Sequence, residues 1–409
     1  MLDPQRVAAS LEQKRELFTG YSAELDAERT RLATALERLA EHSAASLSAT
    51  IQEIGNPWPG ALPTAELDQA EGLRLAFGAR WSNHRAAREW AYEILHGRPV
   101  LAVDGSQITP TKDFSVPVGA VQVGWFINEH RADAGGNGDA APDNYVKDVA
   151  FEVLAPDELG DEDDDEGGFP DWRVNQRRFV AECNKLCELM EMYAERPEME
   201  RPLCFFDGSF IISFAGQLRE SRAAAYIEAV DRLLACSRRF RVPLVGFVDS
   251  SYSRDLITLL NLLYPQAELR RASDAGVLAP LLAGWGDRSP LFICARPDQL
   301  NLDERRRVRA PFYKDVCFTY MRLVQDRPPA RVELPRWILD EGWAGDVLDR
   351  VRAECVIGGG YPYAVETADA VAVITQRDRE RFYRIFQQFL QRSGLELHAA
   401  RKMRSKRSR

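Results

Sequence analysis

Two short apolar runs constrain this chain more than any other feature. "RPVLAVDGSQITPT" (98–111) and "RPLCFFDGSFIISF" (201–214) each place four apolar residues after an Arg-Pro and then close on Asp-Gly-Ser. A buried run of this length forms a core strand, and its last residue is carried to the sheet edge, where the next group meets solvent or ligand. Asp104 and Asp207 are therefore expected at strand ends, with Gly105 and Gly208 allowing a sharp turn and Ser106 and Ser209 completing it. One Asp-Gly-Ser is an ordinary turn. Two of them, each ending a buried strand, can bring a pair of carboxylates to one place.

Around these runs strand and helix alternate. "VPVGAVQVGWFINEH" is rich in Val with Trp and Phe and reads as a strand or most of a hairpin, and "YVKDVAFEVL" as its returning strand. "NQRRFVAECNKLCELMEMYA" (175–194) puts Phe179, Cys183, Leu186 and Met190 at helical spacing. "AAAYIEAVDRLLACSRRF" is a second amphipathic helix, "VPLVGFVDSS" a strand, and "RDLITLLNLLY" a helix. "PLFICA" and "VCFTYMRLV" read as strands, the second on an edge because basic and Pro-rich sequence flanks it. Two helical stretches then surround a Gly-Gly-Gly-Tyr-Pro turn, and a closing helix ends at Gly394. Alternation from Leu101 to Leu390, with one long ribbon near its start, predicts an α/β fold with a mixed sheet flanked by helices.

Ahead of this body, residues 5–52 carry Leu11, Leu17, Leu25, Leu32, Leu36 and Leu39 at spacings compatible with a helical stripe. The expectation is an N-terminal helical, coiled-coil-like arm over 1–57, broken at "FTGYS", that packs on the body or on a second subunit. "GNPWPGALP" closes it.

The net charge of −9 argues against a surface that coats DNA nonspecifically, but a local basic channel remains compatible with it. Charge is unevenly placed: an acidic loop over 157–168 contrasts with a basic tail over 395–409, "RKMRSKRSR" at its end. The loop reads as solvated and the tail as a frayed end able to meet DNA phosphates or an acidic partner. With no run of eighteen apolar residues and no apolar leader, neither a membrane span nor secretion is expected. Seven cysteines without Cys-x-x-Cys fit a reducing cytoplasm.

No G-x-x-x-x-G-K-[ST] is present, so the chain is not expected to drive itself with ATP. No G-x-G-x-x-G follows a strand, no G-x-S-x-G elbow occurs, and five scattered histidines exclude a His-based zinc site. Strand-end carboxylates remain. Two on neighbouring strands can hold divalent cations, and a two-metal site with its ions about 3.5–4 Å apart hydrolyses phosphodiesters.

"LAVDGSQ", "LCFFDGSF", "PLVGFVDSS", "VCFTYMRL" and "GGYPYAVETADAVAVITQRDRERF", in this order from about Val100 to Leu390, resemble the NurA family of DNA-end-processing nucleases. The resemblance implies an RNase H-like core over 98–394. It further implies a Mn²⁺-dependent nuclease holding one or two ions (Mg²⁺ as an alternative), with 5′→3′ exonuclease and single-strand endonuclease activity. Its substrates would be single-stranded DNA and duplex ends, in end resection and double-strand break repair. The implied assembly is a homodimer working in the cytoplasm, at the nucleoid, with a hexameric HerA-type ATPase.

Carried over by position, Asp104 and Asp207 match the family's two metal-binding aspartates. Its helical acid falls on Glu182, with Glu188 and Glu191 as alternatives. Where some members have a basic residue this chain has Asp249, which either joins the carboxylates or caps the helix starting near Ser253. Archaeal members carry a C-terminal His where this chain has Ala368-Asp369, so Asp369 is the candidate fourth ligand. Tyr361-Pro362-Tyr363 is expected to shape its loop. Arg177, Arg178, Arg219 and Arg222, and the run Arg305-Arg306-Arg307, are candidates for phosphate contacts. Trp125 and Phe126 are expected to pack, with base stacking as the alternative. Two competing readings remain: a catalytically degenerate DNA-end-binding adaptor of the translocase, and a metal-dependent hydrolase of small phosphate esters.

Overall fold

A computed structural model describes residues 2–111, 114–131, 144–160, 171–303 and 305–394. The basic tail and residues 161–168 of the acidic loop lie outside them; the loop's start, Pro156–Leu159, is one helical turn.

Three helices lead the chain: α1 (Pro4–Glu12), α2 (Arg15–Ala40) and α3 (Ala44–Ile54). Asp3 accepts from the amides of Gln5 and Arg6 to cap α1, and Ser43 caps α3, which ends on Gly55 in the left-handed region. The helix does not break at "FTGYS": Gly20 sits inside α2 with open space around it, and the breaks fall at 13–14 and 41–43. Leu32, Leu36 and Leu39 are in the core, whereas Leu11 and Leu17 are exposed.

Next come β1 (Gly60–Pro63), α4 (His84–Leu95), β2 (Val100–Ile108), β3 (Gly119–Asn128) and β4 (Tyr145–Leu154). They are followed by α5 (Asp171–Tyr193), β5 (Leu203–Asp207), α6 (Glu220–Phe240) and β6 (Leu244–Val248). Then come α7 (Asp255–Leu263), β7 (Phe292–Ala295), β8 (Val316–Met321) and β9 (Ala330–Pro335). The chain closes with α8 (Ala344–Ile357), α9 (Tyr363–Ala372) and α10 (Gln376–Arg392). Short helical turns connect several of these elements.

The chain divides into two compact units, one made of Met1–Arg80, Phe247–Arg305 and Ala310–Leu339, the other of Trp81–Gly246, Arg306–Arg309 and Asp340–Arg409. In the first, β1, β7, β8 and β9 neighbour one another in that order, all antiparallel. β8 is therefore an interior strand and not an edge. Its partner β9 hides a charge network: Arg331 is fully buried and donates to Glu333, to Asp255 and to the Tyr320 hydroxyl. Charges so deep persist only when paired, because each would otherwise lose its hydration uncompensated.

In the second unit the order is β6-β5-β2-β3-β4. β2, β3 and β4 form an antiparallel meander, and β5 lies parallel to β2 on its other side. Counted within the unit, this is the 5-4-1-2-3 order of an RNase H-like core, with helices packed on the sheet. Val100–Val103 and Leu203–Phe206 are buried throughout and form the centre of that core. Among the described residues no helix is long and apolar enough to cross a membrane.

Candidate active site

The parallel pairing of β2 with β5 runs in register from Val100–Leu203 to Val103–Phe206. Asp104 and Asp207 are the next residues on each strand. Adjacent parallel strands lie about 4.8 Å apart, and residues level with each other point to the same face. The two Asp-Gly-Ser triplets are thus aligned with each other across the sheet.

They are not two copies of one turn. β5 stops at Asp207, and Gly208 turns with φ 143°, a conformation suited to glycine, while its carbonyl comes within 2.9 Å of where a Cβ on Gly246 would be. β2 instead continues through Asp104-Gly105-Ser106 to Ile108, because β3 keeps pairing with it that far. Gly105 makes room and does not turn: a Cβ there would sit 2.4 Å from Glu182 Oε1 and 2.8 Å from Arg178 Cγ. The serines differ too. Ser209 Oγ accepts from the Ile211 amide within its own turn, whereas Ser106 Oγ accepts from the distant Ile374 amide.

That long-range bond belongs to the seating of α9. Opposite Asp104 across the hairpin stands Gly124, where a Cβ would meet the Ala372 backbone nitrogen at 2.7 Å. The end of α9 therefore packs directly on the β3 backbone, and Gln122 Nε2 donates to the Ala372 carbonyl at 2.9 Å. At the other end of α9 the buried Glu354 carboxylate accepts from the Ala364 amide. Seated this way, α9 brings Asp369 close enough to Asp104 for its carboxyl to push that of Asp104 upward.

Electrostatics follow from this crowding. Burial pushes the Asp104 carboxyl up to about 6, against the pull of the Gly105 amide, and the charges of Asp207 and Asp369 push the same way. Glu182, 7% exposed on α5, is pushed to about 7 by burial; Arg178 opposes this and the charges of Asp104 and Asp207 add to it. Asp207 is open to solvent at its tip, yet the surrounding wall raises it too, opposed by the Tyr361 hydroxyl, which donates to Oδ1 at 2.9 Å. Tyr361 thus does more than shape its loop, a role its sequence context did not reveal.

Of the three glutamates considered on α5, Glu182 alone turns inward. Glu188 is exposed beside Lys185, and Glu191 is exposed. Asp249 does not cap a helix: α7 starts at Asp255 without a side-chain cap from its N-cap residue, and Asp249 pairs with Arg327 at 3.3 Å. The amides of Leu256 and Ile257 donate to Asp274 instead.

The arginines divide sharply. Arg178 pairs with Glu182 at 2.5 Å, within the carboxylate group. Arg177 makes a two-pronged pair with Glu152 on β4. Arg219 precedes α6, and Arg222 lies over the Trp172 ring at 4.2 Å. Arg306 donates to the Gly216 and Leu218 carbonyls, tying its loop down, while the Arg305 and Arg307 amides donate to Asp303 and Glu220. Phe126 is fully buried between Tyr145 and Tyr363 and is closed to bases, and Lys185 covers the Trp125 ring at 4.2 Å.

Among the described residues no three His, Cys, Asp or Glu side chains stand together as a set that could hold a metal ion. The acids are instead met one by one, with Asp369 beside Asp104, a guanidinium on Glu182 and a phenol on Asp207. The donor chemistry nonetheless suits a hard divalent cation such as Mn²⁺ or Mg²⁺, because carboxylates in mutual repulsion gain most from added positive charge.

Strand order and strand-end acids together define an α/β protein of the RNase H-like class with a carboxylate-lined site on its central strands. The NurA domain family model matches residues 98–374, most of the chain, and the chain belongs to the NurA family, a membership that supports a nuclease. Among solved structures, a crystal structure of NurA with manganese aligns at TM-score 0.42 and 10% identity, covering 92% of this chain and 98% of the other. A second NurA crystal structure aligns at TM-score 0.40 and 10% identity, over 71% and 89%. The catalytic domain of human endonuclease V aligns at TM-score 0.32 and 13% identity, over 73% and 88%. A search of curated proteins returns no match.

Proposed function

We propose that this protein is a Mn²⁺-dependent DNA nuclease that processes single strands and duplex ends, with 5′→3′ exonuclease and single-strand endonuclease activity. It would act in end resection during double-strand break repair, as a homodimer coupled to a HerA-type hexameric translocase, in the cytoplasm at the nucleoid. The observation that carries the reading is the level placement of Asp104 and Asp207 on adjacent parallel strands, with Asp369 near enough to raise the Asp104 carboxyl.

In this reading Asp104, Asp207, Glu182 and Asp369 would hold one or two ions. Bound there, the cation would place the scissile phosphate and make water a stronger nucleophile at neutral pH. The chain's own groups do the rest. Tyr361 fixes Asp207 through Oδ1 and leaves Oδ2 for the ligand. Arg178 holds the Glu182 carboxylate in place beside the strand-end acids.

Cleavage of single-stranded DNA with Mn²⁺ tests this directly. Asp104→Ala and Asp207→Ala should each abolish cleavage while leaving the circular dichroism spectrum intact; full activity in either variant overturns the site. DNA binding without cleavage across Mn²⁺, Mg²⁺ and Co²⁺ would identify an adaptor. Phosphate release from a mononucleotide, with polynucleotide left uncut, would identify a small-ester hydrolase.

A further inference from the structure

Arg178 lies one helical turn before Glu182 on α5 and donates to Glu182 Oε1 at 2.5 Å, while the same nitrogen reaches the Gly105 carbonyl at 3.4 Å. Glu182 is 7% exposed, and Arg178 itself is largely covered. An exposed i,i+4 pair contributes little, but here a buried carboxylate meets a guanidinium at 2.5 Å. The sheet is shaped to admit this pair. Any side chain at position 105 would overlap both Glu182 Oε1 and Arg178 Cγ, so the glycine of the first Asp-Gly-Ser is spent on accommodating an arginine and its partner. Arg178 is also near enough to Asp207 for its charge to act there.

Building on the metal-site reading above, we propose that Arg178 is the internal counter-ion of this site, a positioning residue that a divalent cation must displace from Glu182. The guanidinium neutralises Glu182 and limits the repulsion among the acids. A cation that takes Glu182 as a ligand breaks the Arg178–Glu182 pair, and the released guanidinium, still tethered to α5, is placed to meet a phosphate of the incoming strand. Arg178 thus sets a threshold for cation binding and converts cation arrival into a phosphate contact, with no covalent chemistry of its own. Its guanidinium suits both partners, since the same planar fork fits carboxylate and phosphate.

The test is calorimetric titration of Mn²⁺ alone into the full-length, chelator-stripped protein at pH 8.5. Arg178→Gln should tighten Mn²⁺ binding by roughly five- to tenfold, the equivalent of losing a competing ion pair worth about 1 kcal/mol. A merely structural arginine would move the constant the other way, because its loss would misplace Glu182. In a Glu182→Gln background the Arg178→Gln change should have no further effect on Mn²⁺ binding. Weaker or unchanged binding in Arg178→Gln overturns the counter-ion role. Should Arg178→Gln fail to fold, Arg178→Lys is read instead, with a smaller tightening expected and unchanged binding overturning the proposal. Failure of the unmutated protein to bind Mn²⁺ would instead sink the metal-site reading, so the two failures are distinguishable.

Discussion

Asp104 and Asp207 stand level on adjacent parallel strands, one residue past the last paired positions, Val103 and Phe206. Strand pairing alone fixes this alignment, since four buried residues on each side lock the register and a slip of one residue would turn a carboxylate into the core. The cost is repulsion between acids in a partly buried place. In the structure that repulsion is met by the Arg178 guanidinium on Glu182 and the Tyr361 phenol on Asp207.

That repulsion should be visible in stability. The Asp104 and Glu182 carboxyls rise from ordinary values of 3.8 and 4.5 to about 6 and about 7. A carboxyl raised by folding binds its proton more tightly in the native state. Its contribution is fully present below the unfolded value and is lost as pH rises through 6 to 7. Urea melts of the chelator-stripped protein should therefore show Asp104→Asn more stable than the parent at pH 8 and no better at pH 4. Adding Mn²⁺ at pH 8 should recover the lost stability in the parent and less of it in the variant. Equal stability of the two proteins at pH 8 would contradict the proposed crowding.

Tyr361→Phe removes the hydroxyl that holds Asp207 Oδ1 and lowers its pKa. The Asp207 carboxyl should rise further, so the acid limb of the cleavage–pH profile should move to higher pH. A structural role alone would lower activity uniformly across pH. A profile scaled down without a shift would refute the electrostatic part of this argument.

Much of this was readable from the chain because strand ends obey a simple rule: apolar run, then acid. Glu182 was legible through the family resemblance, which asks for an acid on the helix before the second strand, and through its place just after the Arg177-Arg178 pair. What stayed hidden depends on partners remote in sequence. β2 runs past its Asp-Gly-Ser because β3 pairs with it to Ile108, which no local signal reveals. β9 escaped notice because "ARVELP" carries an arginine and a glutamate that look solvated and are in fact fully buried against each other. Asp274 caps α7 from eighteen residues away, displacing the adjacent Asp249 from that role. Asp369 reaches the site only because Gly124 lets α9 lie on the sheet, a relation that links positions 248 residues apart between Gly124 and Ala372.

The buried network of the other unit gives a prediction of pure stability. Asp255 accepts from Arg296 and from Arg331, and both arginines hold it well ionised against burial. Asp255→Ala would take from Arg296 its paired carboxylate and leave Arg331 with Glu333 in its place. It should cost about 3–5 kcal/mol in a denaturant melt. Arg331→Met leaves Asp255 with Arg296 but takes from the buried Glu333 the guanidinium it accepts from, so it should cost about as much. A much cheaper Asp255→Ala would show that Arg331 and not Asp255 anchors the cluster.

Glycine substitutions separate room from flexibility. Gly20 lies in the interior of α2 with nothing near its missing Cβ, so Gly20→Ala should stabilise the protein by about 0.5–1 kcal/mol through helix propensity alone. Gly124 is the opposite case: a Cβ there meets Ala372 backbone and side-chain atoms at 2.7–3.1 Å, which the helix can relieve only by lifting off β3. Gly124→Ala should destabilise by about 1–3 kcal/mol. Because α9 carries Asp369, the same change should weaken Mn²⁺ binding in the protein that remains folded, whereas Gly20→Ala should leave it untouched. Calorimetric titration of Mn²⁺ into both variants decides the matter. Weakened stability with unchanged Mn²⁺ affinity in Gly124→Ala would mean that Asp369 contributes nothing to the ion, and that the acids on β2, β5 and α5 bind it without help from α9.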